Sequence, residues 1–320
     1  MKPPLSGLFA ALSLVFLPAC SSSSAHADPG ASLQSVGSWM YQLIGLDTPA
    51  GMNALVASPF EMVVIDPIAN VLGSESYDIA AEVARLQQSG KRVFAYVNIG
   101  EAEDWRSYWQ AEWDLNLPSW IAGEDSGGWD GNYPVYFWNA EWQAILADSL
   151  AQVADWGFDG IFMDWVEIYE YDVVAQTAAA MNLDSEDLLV DYMGWIRSEL
   201  DSLRPEMQMV AQNAAALGYR ADYLSLVDAI TQEAIWFDGS GDPDQSSVHG
   251  DVPQDPQDTT WILQDLALWR QAGKPVFHVE YCELPQNTTF AYEQGALRGF
   301  HTLCTLRLLD QITQTPPPGL

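Results

Sequence analysis

The chain is poor in positive charge. Twelve lysines and arginines face 44 acids over 320 residues, for a formal net charge of −32. Binding nucleic acid requires Lys and Arg to neutralise phosphates, so this balance excludes it. Anionic ligands are disfavoured for the same reason, while a cationic ligand would be drawn to an acidic cleft. An acidic, solubilising surface by itself accounts for most of the charge. Lysine is scarcest, and Lys91 and Lys274 each precede a strand pattern. That is the wrong end of a strand for a Schiff base in an α/β enzyme. Histidine is nearly as rare, with four in the chain, and only His278 and His301 fall on strand patterns. No Cys or His spacing matches a zinc site, and a barrel hydrolase built on several strand-end histidines is excluded. A carboxylate-only magnesium or calcium site is the one metal chemistry left open; we expect no metal and no cofactor. There is no Gly-x-Ser-x-Gly elbow, and no glycine-rich phosphate loop follows the first strand pattern.

Cysteine is also sparse, at three residues. The first belongs to an export signal. Lys2 supplies a small positive start, and residues 8–17 form an apolar run too short to span a membrane. Leu17-Pro18-Ala19-Cys20 and four serines follow, resembling a bacterial lipoprotein cleavage site. We therefore expect residues 1–19 to be removed, Cys20 to carry lipid, and residues 20–38 to form a flexible tether. The protein is then exported (periplasmic, cell-surface or secreted) and meets the membrane only through that anchor. Cys282 and Cys304 remain. In an oxidising compartment they could pair, or they could stay as two buried thiols.

What is abundant is aromatic: 14 Trp and 13 Tyr. Aromatics beyond the needs of a core serve as flat platforms for sugars or bases, although a large core also absorbs them. No internal repeat is present, yet strand and helix patterns alternate. Strands are expected at 39–45, 60–66, 92–99, 160–164, 207–213, 229–235, 275–281 and 301–306. Helices are expected at 76–90, 142–156, 185–203, 259–272 and 288–297, with Ser185 as the N-cap of the third. Eight strands alternating with helices indicate a single α/β domain, a (β/α)8 TIM barrel over residues 39–312, with a frayed tail at 313–320. An open doubly wound sheet is the alternative. Two long loops, 104–139 and 237–258, follow the third and sixth strands, at the carboxyl face where barrel enzymes work. The first holds Trp105, Trp109, Trp113, Trp120, Trp129 and Trp138.

The most informative stretch is Gly157-Phe-Asp-Gly-Ile-Phe-Met-Asp164-Trp165, an apolar strand ending on an acid. Aspartate is a poor strand residue, so its place there suggests a carboxylate held at the sheet's carboxyl edge. The same device recurs. Polar residues at expected strand ends are Asp66, Asn98, Glu101, Glu103, Asp164, Asn213, Glu233 and Glu280. Singly, each reads equally well as a helix cap or an ion-pair partner. Together they bring carboxylates from five strands to one rim. Crowded carboxylates raise one another's pKa, leaving a protonated acid beside an ionised base, as glycoside cleavage requires.

Three segments then carry a resemblance. They are Phe60-Glu-Met-Val-Val-Ile-Asp66-Pro67, Ala95-Tyr-Val-Asn-Ile-Gly-Glu101-Ala-Glu103-Asp-Trp-Arg106-Ser-Tyr108-Trp109, and the Gly157 to Asp164 run. In this order and spacing the chain resembles the endo-α-1,4-polygalactosaminidases, glycoside hydrolase family 114, over nearly all of the mature sequence. The resemblance implies a (β/α)8 barrel that cuts a polymer of α-1,4-linked, partly N-acetylated galactosamine. It implies Asp164 as nucleophile and Glu233 as acid/base. It also places Asp66 and Glu103 on the sugar amine, with Tyr96 and Asn98 on its hydroxyls. Glu101, Trp109, Trp138, Asn213, Glu280 and Tyr281 complete the expected substrate contacts. The expected partner is a polysaccharide, cationic through its free amines, acted on by a monomer. Two readings compete: a surface sugar-binding lipoprotein that keeps the rim but does not cut, and an α-galactosidase-like enzyme acting on neutral glycans.

Overall fold

The computed structural model describes residues 32–67, 78–123, 129–240 and 249–320. The expected signal, Cys20 and most of the expected tether lie outside the described residues. So do residues 68–77, 124–128 and 241–248, the last two sets falling within the long loops.

Eight strands form one parallel sheet: β1 (Trp39–Gln42), β2 (Met62–Ile65), β3 (Arg92–Asn98), β4 (Gly160–Asp164), β5 (Gln208–Gln212), β6 (Ala229–Glu233), β7 (Val276–Tyr281) and β8 (His301–Thr305). Their order in the sheet is their order in the chain, and each neighbouring pair is parallel. β8 returns beside β1. There Trp39 Nε1 donates to His301 O at 2.9 Å, and the Leu43 and Ile44 amides donate to Leu309 O at 2.9 and 3.1 Å. The result is a nearly closed (β/α)8 barrel, as expected, and not an open doubly wound sheet. The strands read as unbroken apolar runs because both faces are covered: every residue of β1, β2, β3 and β7 is buried.

Among the described residues eight α-helices form the outer layer: α1 (Pro49–Ala57), α2 (Ile79–Gln88), α3 (Ala140–Asp155), α4 (Asp172–Ala180), α5 (Ser185–Leu203), α6 (Ala221–Leu226), α7 (Pro256–Gln271) and α8 (Pro285–Arg298). α1, α4 and α6 were not expected. α1 contains Gly51, a helix-weakening residue. Its glycine is needed because a Cβ there would lie 2.0 Å from Gly45 O. α4 is a run of small residues with little periodicity, and α6 spans six residues. α7 and α8 begin three residues before their expected starts, each with proline in its first turn, where the missing N–H costs nothing. The N-cap of α5 is Asp184, not Ser185: its carboxylate accepts from the Glu186 and Asp187 amides.

Both ends of the barrel extend beyond the expected limits. Of the expected tether, residues 32–38 pack on the fold, with Leu33 and Val36 buried and Gln34 Nε2 donating to Gly273 O at 2.8 Å. The 313–320 tail, expected to fray, is tied down as far as Thr315. Thr313 Oγ1 donates to Cys304 O at 2.5 Å and Tyr292 Oη to Thr315 O at 2.6 Å.

Cys282 and Cys304 are free, fully buried and in side-chain contact. The neighbouring sulfur and burial both push the Cys282 thiol well above its ordinary pKa. A thiol that cannot ionise is a poor nucleophile. Iodoacetamide should therefore label neither cysteine in the native protein and both after denaturation, read by mass. Labelling at native rates would mean that the β7–β8 edge opens.

Candidate active site

The barrel's carboxyl rim is built from strand ends that turn sharply. β4 ends on Asp164, and Trp165 follows at φ 56°; Asn213 and Ala214 follow β5 at φ 60° and 54°; Ala234 follows Glu233 of β6 at φ 50°. Left-handed backbone at non-glycine residues costs on the order of 1–3 kcal/mol each, and it gathers where function constrains the chain. Three consecutive strands carry that strain at one rim.

Asp164 and Glu233 both lie half-buried at this rim, one strand apart across β5. Neighbouring strands are spaced about 4.8 Å, so β4 and β6 are roughly 10 Å apart, and inward side chains close that gap. Each carboxylate holds one tyrosine. Tyr96 Oη on β3 donates to Asp164 Oδ2 at 2.6 Å. Tyr281 Oη on β7 donates to Glu233 Oε1. Asn213 fixes Glu233 from both sides: its Nδ2 donates to Glu233 Oε2 at 3.0 Å, and its Oδ1 accepts from the Glu233 amide at 3.0 Å. Gln232 Nε2 holds the same Oδ1 at 3.1 Å. Tyr96, Asn213 and Tyr281, expected as substrate contacts, are brought to the carboxylate pair and hydrogen-bond to it.

The two carboxyls differ in acidity. Burial and the Glu233 charge push Asp164 up to about 6, against the pull of Tyr96. Burial would also raise Glu233, but Arg307, Tyr281 and Asn213 outweigh it and hold the group below its ordinary value. As pH falls, Asp164 therefore takes up a proton before Glu233 does.

The other expected contacts are occupied elsewhere. Asp66 and Glu103 grip Arg106, which donates to Asp66 Oδ1 at 2.7 Å and Glu103 Oε2 at 2.5 Å. All three are buried, and the guanidinium lies 6.0 Å from the centre of the Tyr96 ring. Burial still lifts Glu103 to about 7 despite Arg106. Asn98 and Glu101 lock the exit of β3: Asn98 Oδ1 accepts from the Glu101 amide at 2.9 Å, and Glu101 Oε2 accepts from Asn132 Nδ2 at 2.6 Å. Residues Glu101–Glu103 pair antiparallel with Asn132–Pro134, so the long tryptophan loop folds back as a ribbon. Glu280 is fully buried and accepts the Ile235, Trp236 and Phe237 amides at 2.8–3.0 Å. It staples the chain beyond β6 and does not reach the pair.

The tryptophans expected as platforms mostly pack on each other. Trp109 stacks on Tyr133 at 4.8 Å and gives its Nε1 to Asp114, and Trp138 packs on Phe137 at 4.9 Å. Trp113, Trp120 and Trp142 continue that cluster inward. Their chemistry here is core packing.

Four residues at the rim escaped sequence reasoning. Arg106 and Arg307 are the cations that balance it. Tyr41 on β1 is buried and feels both Asp164 and Glu233, so its hydroxyl stays protonated. Glu167 accepts the Ala214 amide and is lifted to about 8 by burial, with Asp164 and Glu233 adding to it. It stands in the 3-10 turn Val166–Glu170 that follows Asp164 and left-handed Trp165.

These shifts set a pH dependence. Asp164, Glu103, Glu167 and Glu280 (the last also lifted to about 8, by burial) all titrate above an unfolded carboxyl. Between about pH 4.5 and 8 the folded protein thus binds more protons than the unfolded chain, and stability falls as pH rises. Glu233, held low, acts oppositely in more acid solution, and His278 and His301, lowered by burial, act oppositely below about pH 6.5, but the four raised carboxyls outnumber them. Thermal melts should give a Tm about 5 °C higher at pH 5.5 than at pH 8.5. Surface self-repulsion works in the same direction, so Glu167→Gln should flatten part of the slope.

A model of Glycoside-hydrolase family GH114 matches residues 20–318. The chain belongs to glycoside hydrolase family GH114. An uncharacterized protein of Deinococcus radiodurans is 30% identical to it over 286 residues, 89% of this chain and 85% of the relative. The glycoside hydrolase domain of PelA from Pseudomonas aeruginosa superposes with a TM-score of 0.65 at 16% identity, covering 88% of this chain and 98% of that domain. Aspergillus fumigatus Ega3, solved in complex with galactosamine, does so with a TM-score of 0.62 at 19% identity, covering 88% and 97%. At such identity the two structures attest the barrel alone.

Proposed function

We propose that this GH114 protein is an exported, lipid-anchored or secreted hydrolase that cuts α-1,4-linked galactosamine-type polysaccharide internally. The observation that carries the reading is the Asp164–Glu233 pair, two strand-end carboxyls with one tyrosine donor each, at the working face of a GH114 barrel. The galactosamine bound to Ega3 supports the choice of sugar.

Asp164 attacks the anomeric carbon as the C1–O bond breaks, and Glu233 gives its proton to the leaving oxygen. Glu233 then takes a proton from water, whose oxygen displaces Asp164 from C1. Configuration is retained, and the chain is cut with one water consumed.

This assignment needs Asp164 ionised and Glu233 protonated, the reverse of the order in which the two groups take up a proton. An amino sugar resolves the conflict. An ammonium bound beside Asp164 favours its charged form, and the proton passes to Glu233. A neutral sugar gives no such help. A free amine near the cut is thus both a recognition group and the trigger for the productive proton arrangement.

The test is mass spectrometry of α-1,4-galactosaminan incubated with the mature chain, comparing partly deacetylated with fully acetylated polymer. Short oligomers from the deacetylated polymer, and few from the acetylated one, are expected. Equal cleavage of both would favour the neutral-glycan reading. Bound but uncut polymer would favour a sugar-binding protein.

A further inference from the structure

Arg307 stands two residues beyond β8, and neither the family match nor the expected contacts give it a role. Its Nη1 lies 3.7 Å from Glu233 Oε1 and 3.2 Å from Asp238 Oδ1. Its guanidinium covers the Tyr281 ring at 4.7 Å, the same tyrosine that donates to Glu233. Its backbone amide donates to His249 O at 2.9 Å. The side chain is therefore clamped from three directions, and among the described residues it is the cation that pairs with Glu233.

The clamp has its own support. Asp238 ends the two-residue strand Phe237–Asp238, which pairs antiparallel with Val252–Pro253. Glu280 holds that strand to the barrel by accepting three successive amides at its start. This gives Glu280, Asp238 and Arg307 one physical purpose, with Glu280 fixing the strand, Asp238 the guanidinium, and Arg307 the carboxylate.

We propose that Arg307 is a positioning residue for hydrolysis, a fixed positive charge that orients Glu233 and sets the charge Glu233 carries before substrate binds. The proposal rests on reading Glu233 as one of the two reacting carboxyls. The groups facing Glu233 are Tyr41 on β1, Asp164 on β4, Glu167 beyond β4, Gln212 and Asn213 at the end of β5, Tyr281 on β7 and Arg307 beyond β8. Every ionisable one but Arg307 is either neutral or negative, so the negative groups make ionisation of Glu233 harder and Arg307 alone makes it easier by charge. That balance, with the Tyr281 and Asn213 hydrogen bonds, holds Glu233 below its ordinary value. With Arg307 in place Glu233 gives up its proton before Asp164 does, and a ligand cation beside Asp164 reverses that order.

The test is a carboxyl carbon-13 NMR titration of glutamate-labelled protein, with Glu233→Gln used to assign the Glu233 signal. In the wild type Glu233 should titrate below an ordinary glutamate. A midpoint at or above the ordinary value overturns the proposal without any variant. In Arg307→Gln the midpoint should rise by about one pH unit or more, and in Arg307→Lys it should stay near the wild-type value. An unmoved midpoint in a folded Arg307→Gln overturns it too. On a cleavable polymer, the acid limb of the kcat/KM profile should move up with the NMR midpoint in Arg307→Gln. A purely structural role would lower kcat and leave the limb in place. The titration needs no substrate, so failure of the polymer assay counts against the proposed function and not against Arg307.

Discussion

Asp164→Ala should lose hydrolysis of galactosaminan by a factor on the order of 10³ or more, with the fold intact. The side chain is half-buried, and the substitution removes the acceptor of the Tyr96 hydroxyl. Removing an acid whose carboxyl is pushed up to about 6 relieves the Glu233 charge, so stability should hold or improve. Azide then separates the roles. Without Asp164, azide takes its place and opens the α-linkage from the opposite face, giving a β-glycosyl azide. In Glu233→Ala the covalent intermediate still forms on Asp164. Azide then replaces the unactivated water and gives an α-glycosyl azide. Product anomers read by NMR thus decide which carboxyl attacks. The opposite pattern would follow if Asp164 protonated and Glu233 ionised were the working arrangement. The two roles would then exchange.

The barrel was legible because parallel strands buried on both faces are written as continuous apolar runs. Val93 to Val97 and Ile161 to Met163 can hardly be read otherwise. The acids at their ends were legible for the opposite reason: Asp164 and Glu233 contradict the pattern they terminate. Helices α1, α4 and α6 were not visible, since short or small-residue helices gain their stability from packing and not from their own periodicity. The partnerships at the rim were hidden as well. Asp66 and Glu103 sit 37 positions apart and look alike as free acids, yet Arg106 neutralises both. Glu280 reads as one more rim carboxylate, but it faces three amides beyond β6. Strand order shows which residues reach a rim; it does not show which way they turn there. The left-handed residues Trp165, Ala214 and Ala234 make the point in backbone terms, since nothing in a Trp or an Ala announces positive φ.

Arg106→Met carries the largest expected effect on stability. Arg106, Asp66 and Glu103 are each about one-twentieth exposed, and no bulk water is at hand to replace the guanidinium. Breaking a buried pair by removing one partner costs about 3–5 kcal/mol, because the charge left behind is uncompensated. Here two carboxylates are left. For a domain of this size the Tm should fall by roughly 10 °C. The loss should depend on pH. Burial already lifts Glu103 to about 7 with Arg106 beside it, and without that charge it shifts further up. Lowering the pH then neutralises Glu103 in the folded protein, so the variant should recover part of its Tm between pH 8 and pH 5. The triple variant Arg106→Met, Asp66→Asn, Glu103→Gln removes all three charges together and should melt within a few degrees of wild type at pH 8. That follows because a fully neutral replacement of a buried ion cluster is often no worse than the cluster itself. If the single variant melted like the wild type at pH 8, the triad would not be dry, and Asp66 and Glu103 would again be open to a sugar amine. If instead the triple variant is stable but cuts polymer poorly, the triad's contribution is electrostatic: Arg106 lies against the Tyr96 ring, and Tyr96 holds Asp164.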